Sequence, residues 1–66
     1  MHCVPIQQRH YEHAKNLLAS HDAAAIHLTP REWSACTCLV AFGDLDRPCP
    51  IEVLNLVLAA ADAHAK

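Results

Sequence analysis

The sequence predicts an all-α fold: a small bundle of three helices over a single domain, residues 1–66, with the second and third helices forming an antiparallel hairpin. Three observations predict it. The stretch Leu28-Thr29-Pro30-Arg31-Glu32-Trp33 carries a complete helix start. Apolar residues recur at three- and four-residue steps before and after it. Gly43, Pro48 and Pro50 then mark one stiff break between two apolar runs.

The first helix is expected from about residue 6 to about residue 20. Pro5 can open it as the first helical residue, where a missing N–H costs nothing. Tyr11, Ala14, Leu17 and Leu18 form the inward stripe, while Gln8, Arg9, Glu12, Lys15 and Asn16 form the wet face. Ser20-His21-Asp22 is the weak point. Asp22 can cap a short extension through Ala23–Ile26, or the helix can run straight on.

The second helix starts at Pro30. Thr29 is its N-cap and Glu32 reaches back to the Thr29 amide, which completes a capping box. Leu28 and Trp33 occupy the two positions of a hydrophobic staple. No charged side chain appears from Trp33 to Gly43, so this helix is expected to be the buried central element, and Gly43 is its expected stop. The segment 44–50 reads as a loop with Leu45 tucked back on the core.

The third helix is expected from about Pro50 to about His64. Its polar residues Glu52, Asn55 and Asp62 fill one narrow sector, and its apolar arc is about twice the ~100° that one buried face needs. Two surfaces should therefore press on it. The arc Val53, Leu56, Val57 and Ala60 is the expected interface of a two-fold homodimer.

Composition bounds the function. The chain is 53% apolar and only 18% charged, and a domain this small buries only about 60% of its unfolded surface. The excess apolar surface calls for a partner. Net charge is −2 with neutral histidines and no Lys/Arg cluster is present, which argues against a nucleic-acid footprint. Protonation of all six histidines would make the net charge positive. The N-terminus lacks the basic start and apolar run of a signal peptide. The uncharged runs, Trp33–Gly43 and Val53–Ala61, fall short of the ~20 residues that span a bilayer. The protein reads as soluble and cytoplasmic, with reduced thiols.

No catalytic set stands out, so the chain reads as non-enzymatic, and no cofactor is expected. Cys36 and Cys38 lie about 200° apart on a helix and cannot share a metal. They read as two small buried apolar residues. Cys3, His10, His13 and Cys49 are the residues that could assemble a Cys/His zinc site, although no zinc-finger spacing is present. Leu28–Glu32 resembles the opening of the first helix in LuxR-type DNA-binding domains. The capping box alone produces that match, and no later helix carries basic, base-reading residues, so the resemblance is not carried to fold or function.

The function these features favour is a small protein-binding regulator or inhibitor that acts through apolar helix surfaces. Adaptors of this size are common as phage or mobile-element modulators of host proteins, an analogy of size and character alone. A metal- or thiol-responsive module built on Cys3, Cys49 and the N-terminal histidines is the alternative. A dimeric DNA binder using Arg9 and Lys15 is a weaker one.

Overall fold

A computed structural model describes residues 2–41 and 45–65. The elements run β1 (Cys3–Pro5), α1 (Gln8–Asp22), α2 (Pro30–Ala41), β2 (Pro48–Pro50) and α3 (Ile51–His64). Three helices carry the fold and each packs against the other two, as the apolar periodicity predicts.

The purely helical expectation is corrected by a small antiparallel sheet. β1 and β2 pair in the register Cys3↔Pro50, Val4↔Cys49 and Pro5↔Pro48. Pro5 therefore ends a strand and does not open α1. The prolines are compatible with pairing because of their parity. Ile6 N–H donates to Arg47 C=O at 3.0 Å and Ile51 N–H donates to His2 C=O at 2.9 Å. Bonded pairs alternate with unbonded ones in an antiparallel ladder, which puts Pro5, Pro48 and Pro50 in the unbonded pairs. A missing N–H costs nothing there. Asp46 N–H returns to Ile6 C=O at 2.9 Å, from a left-handed backbone (φ 69°) that aspartate tolerates. Leu45 points outward, 52% exposed, and is not tucked onto the core.

α1 runs two residues past its expected end. It closes in a Schellman motif: Ala25 N–H bonds to Ser20 C=O at 2.9 Å, and Ala24 N–H to His21 C=O at 3.0 Å. Ala24 takes the left-handed position (φ 59°) that glycine usually fills. Asp22 caps no extension. The chain then returns through a bond from Leu28 N–H to His21 Nδ1 at 3.4 Å.

α2 begins as its sequence dictates. Glu32 N–H donates to Thr29 Oγ1 at 3.2 Å, and Thr29 N–H donates to Glu32 Oε1 at 2.9 Å. Farther along, the Thr37 hydroxyl bonds back to the Trp33 carbonyl. Leu28 is buried, whereas Trp33 is 45% exposed. α2 is one-sided and not a buried central rod: Ala35, Cys36 and Leu39 face inward, while Arg31, Trp33, Ser34 and Cys38 face out. Lacking charge did not bury it, because Ser, Thr and Cys are cheap to expose. The stop expected at Gly43 lies outside the described residues.

The core gathers Ile6, Ala14, Leu17, Leu28, Ala35, Cys36, Leu39, Cys49, Leu54, Val57 and Ala60. α3 contributes Leu54, Val57 and Ala60, one side of its wide apolar arc.

Candidate functional site

Two features of the surface combine accessibility with chemistry, and Cys38 belongs to both. The first is a groove of about 430 Å³ between α2 and α3, lined by Pro30, Arg31, Ser34, Ala35, Cys38, Val53 and Leu56. An adjoining hollow of about 370 Å³ shares Arg31 and Leu56 with it and is bounded also by Glu52, Asn55 and Ala59. The walls are apolar and the rim carries one charge of each sign.

Of the interface residues expected from sequence, Val53 and Leu56 reach this groove. Val57 and Ala60 do not; both are 0% exposed inside the chain's own core. The helical wheel shows that α3 has apolar residues to spare. It does not show which side of the arc the chain uses for itself.

The second feature is a cavity of about 280 Å³ between α2 and β2, lined by Ile6, Cys38, Leu39, Arg47, Pro48, Cys49 and Pro50. Four free thiols are present, of which Cys36 and Cys49 are buried and Cys3 and Cys38 exposed. The expectation that Cys36 and Cys38 are both buried is corrected. Their separation of about 200° around the helix already contained the answer, since burying one side turns the other outward. Burial, with the Glu32 carboxylate nearby, pushes the Cys36 thiol up to about 11. Burial also raises the Cys49 thiol, and the neighbouring Cys38 and Cys3 add to the effect.

The four residues proposed as zinc ligands are dispersed. Cys49 sits opposite Val4 on the inner face of the sheet, and alternation sends Cys3 to the outer face opposite Pro50. His10 is buried at 4% exposure and accepts the Gln7 N–H at Nδ1, 3.1 Å away, which caps α1. His13 is exposed and lines a separate crevice with His64. Among the described residues, no group of three or more His, Cys, Asp or Glu side chains is placed to hold a metal ion.

His10 is the polar residue whose role sequence reasoning missed. Burial, then the charges of Arg9 and His13, lowers its pKa from the ordinary 6.5. On α1 the exposed Lys15 ammonium lies 5.4 Å from the centroid of the half-buried Tyr11 ring, a cation–π contact. Among the described residues, no helix is long and apolar enough to cross a membrane. No protein-family model matches the chain, and no curated protein or solved structure matches it either.

Proposed function

We propose that the chain is a small, non-enzymatic regulator that binds another protein through the groove between α2 and α3, two helices taken to run antiparallel. The open apolar groove bounded by Val53, Leu56, Ala35 and Pro30 carries this reading. The adjoining hollow and the Arg31 and Glu52 rim suit an amphipathic helix laid along the groove, with apolar anchors one turn apart. The cytoplasm, where thiols stay reduced, is the compartment that fits the four free cysteines. A second copy of the chain is the competing occupant, but Val57 and Ala60 are no longer available to widen a dimer interface.

A photo-reactive side chain at position 56, compared with one at exposed Glu12 on α1, tests the reading in cells that express the chain. A discrete adduct with one heterologous protein at position 56, absent at position 12, is the expected result. An adduct of twice the chain's own mass would assign the groove to self-association. Equal labelling at both positions would remove the groove from consideration.

A further inference from the structure

The geometry points to Cys38 and Cys49 as a redox-sensitive thiol pair, which closes to a disulfide between α2 and β2 when the chain meets a low-molecular-weight disulfide. Three observations single out this pair. Both residues line the same cavity between these elements. Cys38 is exposed and open to attack, while Cys49 is buried and forms part of the cavity lining. The remaining thiols are excluded by direction: Cys3 lies on the outer face of the sheet, opposite Pro50, and Cys36 projects to the far side of α2 from Cys38.

The chemistry balances as two exchanges. The Cys38 thiolate attacks one sulfur of the small disulfide, the S–S bond breaks, and one thiol leaves. The Cys49 thiolate then attacks Cys38 Sγ in the mixed disulfide, and the second thiol leaves. The chain gives up two electrons and two protons, and the small disulfide takes them as two thiols. Burial holds the Cys49 thiol above its ordinary value, so the thiolate needed for the second step becomes more available as pH rises. Arg47 also lines the cavity. In a reducing compartment such a bond is transient, as redox-sensing disulfides are.

Cys38 lines the α2–α3 groove as well, so the bond would reach the binding surface. That link rests on the proposed binding role, whereas the bond itself does not.

Glutathione disulfide added to the folded, reduced chain tests the assignment by intact mass, with circular dichroism to confirm that the fold persists. The Cys3→Ala chain is expected to pass through a single glutathione adduct and end two hydrogen atoms lighter, with no glutathione retained. The Cys38→Ala chain, altered only at an exposed position, is expected to form no internal bond. Cys49→Ala combined with Cys3→Ala is expected to stop at the adduct on Cys38. A Cys3→Ala chain that keeps its glutathione indefinitely while folded would overturn the pair. So would a Cys38→Ala chain that closes an internal bond at the wild-type rate. Crosslinking from position 56 reports on the groove separately, so failure of one reading is distinguishable from failure of the other.

Discussion

His10 accepts the backbone N–H of Gln7 at Nδ1, 3.1 Å away, from a ring that is almost wholly buried. A donor at that distance requires a bare Nδ1 and leaves the proton of the neutral ring on Nε2. The same ring thus satisfies the start of α1 from a buried position.

That arrangement gives stability a pH dependence. The folded chain binds a proton on His10 less readily than the unfolded chain, because burial and then Arg9 and His13 lower its pKa from 6.5. The unfolded state therefore binds more protons as pH falls, and stability decreases with it. The contribution is complete above about pH 6.5 and is lost as pH falls toward the folded value. Thermal melts at about pH 5 and about pH 8 should show a higher Tm at the higher pH, with a smaller difference in His10→Asn. An unchanged difference in that variant would place the titration elsewhere.

Thr29 and Glu32 bond reciprocally at the start of α2. Thr29→Ala should cost about 1 kcal/mol in chemical denaturation. Glu32→Gln keeps the acceptor and should cost less. Equal losses would mean that the carboxylate charge at the helix N-terminus dominates.

Ala24 holds a left-handed backbone at the end of α1. That conformation costs a non-glycine residue roughly 1–2 kcal/mol, partly offset by the greater unfolded-state entropy of glycine, roughly 0.4–1 kcal/mol. Ala24→Gly should therefore stabilise the chain by about 0.5 kcal/mol or more. A destabilised variant would contradict the motif.

Leu56 and Val57 are adjacent but face opposite surroundings: one lines the groove and the other is fully buried. Leu56→Glu should leave the circular dichroism spectrum intact and abolish crosslinking from a photo-reactive side chain moved to the neighbouring groove position 53. Val57→Glu should unfold the chain, since an unpaired buried charge costs several kcal/mol. A Leu56→Glu chain that binds normally would count against the groove.

Leu39 is a core residue and Leu45 an exposed one. Leu39→Ala should cost about 2–5 kcal/mol, whereas Leu45→Ala should stay within about 0.5 kcal/mol of wild type. Comparable losses would show that Leu45 packs after all.

Legibility followed the range of the interactions. The start of α2 could be read to the residue because Thr29, Pro30 and Glu32 satisfy one another within a single turn. The end of α1 could not, because Ala24 stands where glycine would have signalled the stop. The strands were hidden because three of the chain's prolines lie in them, and prolines deny a strand unless the register is known. His10 read only as a candidate zinc ligand, since nothing local shows that its ring will meet the Gln7 amide inside the core. Cys36 and Cys38 were opposed by helix geometry alone, but which of them is buried depended on where α1 and α3 packed.

By itself, then, the sequence determined three helices, the capped start of α2 and the excess apolar arc of α3. These rest on hydrogen bonds and periodicities that span four residues or fewer. Tertiary structure alone decided the pairing of β1 with β2, the burial of His10 and the inward turn of Val57 and Ala60. It also brought Cys38 beside Cys49. Each of these depends on segments far apart in the chain, whose contact is set by how the apolar faces of three helices close on one another.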